Sequence, residues 1–211
     1  MKFVDAFWSH QSPYCYFALD RLLALNERAD VTVTLRPILP GVIRDGDLFK
    51  DRPDIEKRYF LLDVRRTADF LGVAYREADP YPVNFSPESM YRAEGDQGRA
   101  LRLYYLTAAA IELDRGWRFL DCVSRLIWDG STRNWHRPDV MGAALRSKGI
   151  DLEELERTFD GKEQEYDAQF ARNRDAMLAA GHWGAPCFVY NGEPFYGQDR
   201  FDQLCWRIDN S

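Results

Sequence analysis

The chain has little of what builds metal centres or redox pairs. Among its 211 residues there are three scattered histidines and four cysteines. Cys15, Cys122, Cys187 and Cys205 stand far apart, at no ligand spacing, which argues against zinc fingers, ribbons and an intact Cys-x-x-Cys pair. In a reducing compartment they read as free thiols, mostly buried. Positive charge is also in deficit. Lys and Arg number 28 against 34 Asp and Glu, and a net charge of -6 leaves no electrostatic footprint for nucleic acid. No apolar run approaches the length that spans a bilayer. The first residues, Met1 to Asp5, reach an acid at once and lack the long apolar stretch of a secretory leader, so a cytoplasmic location is expected. Repeats and low-complexity segments are missing as well. The length suits one substantial core or one domain carrying an insertion, and 45% hydrophobic with 29% charged residues suits a soluble globular protein.

What is present is organised. Phe3 to Trp8 is short and apolar and ends at the polar Ser9-His10-Gln11, which predicts a buried strand. Pro13 suits the first turn of a helix, with Ser12 as N-cap and Cys15, Leu19, Leu22 and Leu23 on the inward side. Val31 to Leu35 alternates and predicts a second strand, closed by Arg36-Pro37. Strand, helix and strand within such a short span favour a right-handed parallel crossover.

From residue 41 to 181 the pattern is mostly helical. Helices are predicted over 53–71 (closed by Gly72), 98–113, 117–128, 138–148, 151–159 and 163–180. The last carries Tyr166, Phe170 and Met177 as a buried stripe, while proline-rich 79–87 reads as an ordered loop. Strands return at Cys187–Tyr190 and Pro194–Tyr196 around Asn191-Gly192, a strong hairpin signal. A final helix opens at Gly197-Gln198-Asp199, with Asp199 predicted as its N-cap. The result is an α/β, thioredoxin-like fold. A large all-helical insertion, residues 41–181, separates the N-terminal βαβ unit (1–40) from the C-terminal ββα unit (182–211).

Ser12-Pro13-Tyr14-Cys15 then reads as a Cys-x-x-Cys site whose first thiol has become a hydroxyl. Ser-Pro at a strand-to-helix junction is also a common structural cap, but two other segments raise its standing. Ala185-Pro186 precedes the hairpin, where this fold places a cis-proline facing the first helix. Gly197-Gln198-Asp199-Arg200 offers backbone N–H groups and a carboxylate. A small thiol peptide such as glutathione fits these groups. Its cysteinyl backbone would pair with Ala185, its γ-glutamyl carboxylate with the last helix start, and its ammonium with Asp199. Its sulfur would lie beside Ser12, where helix dipole and hydroxyl favour the thiolate.

Ser12-Pro13-Tyr14, Gly184-Ala185-Pro186 and the run from Gly192 to Arg200 resemble motifs of the DsbA-related family. Within it they resemble the branch of 2-hydroxychromene-2-carboxylate isomerases and kappa-class glutathione transferases. Tyr59-x-x-x-Asp63-x-x-Arg66-x-Ala68-x-x-x-Gly72 extends the likeness into the insertion. The resemblance implies a glutathione-dependent enzyme, usually a homodimer, with Ser12 activating the glutathione sulfur. It implies glutathione contacts at Ala185, Pro186, Gln198 and Asp199. Three departures stand out. Cys15 replaces a common serine, Ser9-His10-Gln11 replaces aromatic or acidic residues, and Leu61 stands where a glutathione-binding lysine is expected.

His10, Tyr14, Tyr81 and Asn84 are candidate substrate residues. His10 is either an acid-base group near the sulfur or exposed loop polarity. The aromatics of the 81–91 loop either line a pocket for a planar ring or pack the insertion onto the fold. Two other functions compete with the isomerase or transferase reading. One is a DsbA-like thiol-disulfide oxidoreductase using Cys15, with Cys187 nearby; the other is a non-catalytic thiol-binding member of the fold.

Overall fold

The computed structural model describes residues 1–46, 49 and 51–211, with the side chains of Asp54, Met90 and Tyr91 outside the description. Strand β1 (Lys2–Trp8) pairs in parallel with β2 (Val31–Pro37), Lys2 opposite Val31 and Trp8 opposite Pro37. Helix α1 (Pro13–Asn26) makes the crossover, with Leu19 and Leu22 buried. The second strand therefore runs through Arg36-Pro37 rather than stopping before them.

The remaining core strands arrive at the far end of the chain. Strands β5 (Cys187–Tyr190) and β6 (Glu193–Tyr196) form a hairpin, and β5 lies antiparallel to β1. Asn191 and Gly192 carry φ of 51° and 80°, the paired positive angles that a two-residue type I′ turn requires. The sheet order is β2-β1-β5-β6. Its alternating side chains divide two apolar clusters. Val4, Ala6 and Phe188 pack toward α1, whereas Phe7 and Cys187 pack with Ile38 and Met177 on the other face.

Between β2 and β5 lie α2 (Gly41–Arg44), α3 (Asp54–Leu71) and a short hairpin, β3 (Phe85–Ser86) with β4 (Ser89–Ala93). These are followed by α4 (Gly98–Glu112), α5 (Gly116–Trp128), α6 (Pro138–Ser147), α7 (Leu152–Phe159) and α8 (Glu163–Ala179). Gly72, at φ 64°, closes α3 in the left-handed conformation, and Tyr166, Phe170 and Met177 are buried along α8 as their spacing predicts. The insertion shares its interior with the sheet: Leu103, Phe119 and Val123 belong to the same apolar cluster as Leu19 and Phe188. Among the described residues, no helix is long and apolar enough to cross a membrane.

The structure departs from the sequence-based expectation in three further places. Residues 41–44 form α2, and part of the proline-rich loop pairs as β3 and β4. The chain end begins with a 3-10 turn at Gln198–Arg200 before α9 (Phe201–Asp209). Asp199 is consequently inside that turn and does not cap α9; its carboxylate accepts from Arg200 at 2.8 Å.

Candidate functional site

The β1–α1 junction is a four-residue turn in which the Ser12 N–H donates to the Ser9 carbonyl at 3.1 Å. Ser12 caps α1, its hydroxyl accepting the Cys15 N–H at 3.4 Å. The same hydroxyl donates to the Ala185 carbonyl, also at 3.4 Å. That is the long, weak end of hydrogen-bond geometry, so a better acceptor would capture the Ser12 proton. The Ala185–Pro186 peptide bond is cis, and the Gly197 N–H donates to the Pro186 carbonyl at 2.9 Å. Thus Ser12, Ala185 and the turn at 197–200 converge, as their order in the sequence predicted.

A cavity of about 750 Å³ opens beside Ser12 and Ala185. Its walls come from the 9–14 segment, the β2–α2 connection, the start of α3, and Trp183 to Ala185. Tyr14 and Tyr81 both line it, together with Phe85 and Phe60. The Tyr14 hydroxyl does not face a ligand freely, because it donates to Asp63 of α3 at 2.5 Å. Asp63 also holds Arg66, which reaches the Tyr59 hydroxyl at 2.6 Å. The spaced Tyr59, Asp63 and Arg66 therefore clamp α3 to α1 and present two tyrosine rings to the cavity.

Among the described residues, Arg44 and Arg52 are the cations on this cavity's wall. Arg44 donates to the Trp183 carbonyl at 2.7 Å, while its Nε is buried with no hydrogen-bond partner among the described residues. Arg52 pairs with Glu56 at 2.7 Å and lies over the Phe49 and Trp183 rings. Neither arginine is among the residues the sequence motifs pointed to. Arg44 ends a four-residue helix without a readable period, so only its position on the cavity wall reveals it.

Other candidates lie elsewhere. His10 is neither in the cavity nor exposed. It is 2% accessible, its Nε2 is 2.9 Å from the Thr107 hydroxyl, and burial pushes its pKa down to about 3. Thr107 donates to the Leu103 carbonyl, so the imidazole donates through Nε2 and is neutral. Such a group is no acid-base catalyst at neutral pH. Asn84 is not a cavity residue either. Its side chain is spent on the Asp96 carbonyl and Arg99, tying the β3 region to the start of α4. Gln198 and Asp199 are beside the cavity rather than in its wall, and the Gln198 amide oxygen accepts from Arg21 at 2.6 Å. The Tyr91 side chain lies outside the described residues.

The cysteines separate by environment. Burial pushes the Cys15 thiol up to about 12, against the smaller opposite pull of the Ser9 N–H and Ser12. Cys187 is likewise pushed up to about 12 by burial. It points to the sheet face away from α1, so the two thiols belong to different apolar clusters. The alternation of β5 thus keeps Cys15 and Cys187 from packing against each other.

Comparison with solved structures identifies chains that share this architecture end to end. A 2-hydroxychromene-2-carboxylate isomerase superposes with a TM-score of 0.67 at 20% identity, covering 99% of this chain and 95% of that one. A probable DsbA oxidoreductase from Streptomyces coelicolor gives 0.67 at 18% identity, with 100% and 91% covered. The cytosolic disulfide reductase DsbM from Pseudomonas aeruginosa, solved with GSH, gives 0.60 at 18% identity, with 98% and 99% covered. At such identities the likeness is one of fold. No curated protein sequence matches the chain. The DSBA-like thioredoxin domain matches residues 3–209, nearly the full length, and the chain belongs to that family.

Proposed function

We propose that the protein is a glutathione-dependent isomerase or transferase of a small electrophilic substrate, aromatic or conjugated. The observation that carries this reading is a serine hydroxyl where an attacking thiol would stand, at a helix N-terminus beside an apolar cavity. The residues present fit a thiol peptide. Ala185 offers backbone, the 197–200 turn offers N–H groups, and the Arg44 guanidinium brings a positive charge to the cavity wall for a carboxylate. Glutathione, when bound, supplies a nucleophilic sulfur that no described residue presents in this cavity.

The chain's own part is positioning and electrostatics. Ser12 exchanges its weak bond to the Ala185 carbonyl for a charge-assisted one to sulfur, and the α1 N-terminus adds its positive end. Tyr14, Phe60, Tyr81 and Phe85 exclude water and offer rings against which a planar substrate packs. The isomerase among the solved relatives supports this branch. Cytoplasmic location and a homodimer complete the proposal; sedimentation should then give twice the 24.6 kDa chain mass. The test is calorimetry with glutathione and turnover of a panel of electrophiles. Glutathione binding that activates turnover, lost in Ser12→Ala, is expected. No binding by the intact protein would sink the proposal.

The disulfide reductase and oxidoreductase among the relatives favour a second reading, thiol-disulfide exchange. Exchange needs an accessible thiolate, and Cys15 is buried with its thiol held protonated. Insulin reduction that depends on Cys15 would reverse this ranking.

A further inference from the structure

Ser9 opens the turn that Ser12 closes, so their Cα atoms lie within about 7 Å, and both residues line the same cavity. Behind Ser9 stands Tyr104 of α4, fully buried, with its hydroxyl 2.8 Å from the Ser9 hydroxyl. The Tyr104 oxygen accepts the His10 N–H at 3.0 Å. A phenolic oxygen carries one proton. The Tyr104 oxygen already accepts the His10 N–H, and the Ser9 hydroxyl is the acceptor within reach among the described residues, so that proton goes to Ser9. Ser9 therefore keeps its own proton for another acceptor, and none of the described residues takes it. Ser9, though mostly buried, is on the cavity wall.

We propose that Ser9 is a second hydroxyl donor to the ligand's thiolate, and that Tyr104 is the positioning residue that directs it. This rests on the glutathione reading above. A chain of hydroxyls from Tyr104 through Ser9 polarises the last O–H, and two charge-assisted bonds hold a thiolate better than one. The sequence also singles out this stretch, since Ser9-His10-Gln11 is where the chain departs from the pattern it otherwise resembles. The long-range partner is supplied by the insertion, so the helical block contributes to the sulfur site as well as covering it.

The experiment is a pH titration of the ultraviolet thiolate absorbance of the glutathione complex, in intact protein, Ser9→Ala and Tyr104→Phe. Ser9→Ala should raise the bound thiol's pKa by about one unit, a tenfold loss of thiolate stabilisation. Tyr104→Phe should move it in the same direction by less. Matching thermal unfolding would separate this effect from general loosening, and Tyr104→Phe preserves the inference should Ser9→Ala fail to fold. A lowered pKa in the intact complex that neither variant moves would overturn this inference alone. No lowered pKa in the intact complex would overturn the glutathione reading itself.

Discussion

At the residue level the contrast between Ser12 and Cys15 organises the site. They are three positions apart, yet one hydroxyl looks into a cavity while the thiol lies in the core. Replacing Ser12 by Ala should lower glutathione-dependent turnover by about 100-fold, the usual cost of removing one donor to a developing anion. Cys15→Ser should leave that turnover within a few-fold, and iodoacetamide should label Cys15 only after unfolding. His10 gives a stability prediction instead. Its folded pKa of about 3 is below the unfolded value of 6.5, so the unfolded chain binds the extra proton between these limits. The stability held above pH 6.5 is therefore lost as pH falls through that window, by up to about 1.4 kcal/mol per unit. Denaturant titrations should show a shallower acid loss in His10→Gln. Ser12 could be found in the sequence because a cap, a proline and a motif coincide there. His10 could not, because its burial depends on Tyr104 and Thr107, which follow it by more than ninety residues.

At the level of elements, the site is a meeting of three chain segments. Gly184 illustrates how tightly the Ala185 segment is fitted. A Cβ there would come within 2.8 Å of the Tyr196 ring, which is itself stacked on His182 at 3.9 Å. Gly184→Ala should displace the Ala185 backbone and lower kcat/KM by roughly tenfold to 100-fold, mainly through KM for glutathione. The main helices and the hairpin were legible because apolar periodicity and Asn191-Gly192 are local signals. Helix α2 was hidden because four residues carry no period, and β3 and β4 were masked by neighbouring prolines. Asp199 misled for a related reason. A carboxylate before an apolar helix reads as a cap, but the 3-10 turn leaves it one residue ahead of the α9 cap position, which Arg200 occupies.

Across the whole molecule, the continuous core explains how an insertion can contribute to the candidate site. Because α4 and α5 share an interior with α1 and the sheet, Tyr104 is held under the serine turn without a flexible hinge. A ligand that binds only this folded arrangement stabilises it. At a glutathione concentration 100 times its Kd, linkage gives about 2.7 kcal/mol, or a Tm rise of roughly 5–11 °C for a chain of this size. Differential scanning fluorimetry checks this, and oxidised glutathione should give a smaller rise because its sulfur carries no negative charge. The overall topology was readable from the order of strands and helices. The cavity was not, since Arg44, Arg52 and Trp183 meet only through packing between distant segments.

The most direct measurement is a crystal structure of the protein with glutathione. The account predicts the ligand's sulfur within hydrogen-bond reach of the Ser12 hydroxyl, with its cysteinyl backbone along Ala185 and Cys15 still buried as a free thiol. Electron density joining the ligand's sulfur to Cys15, or a ligand seated away from Ser12, would contradict it.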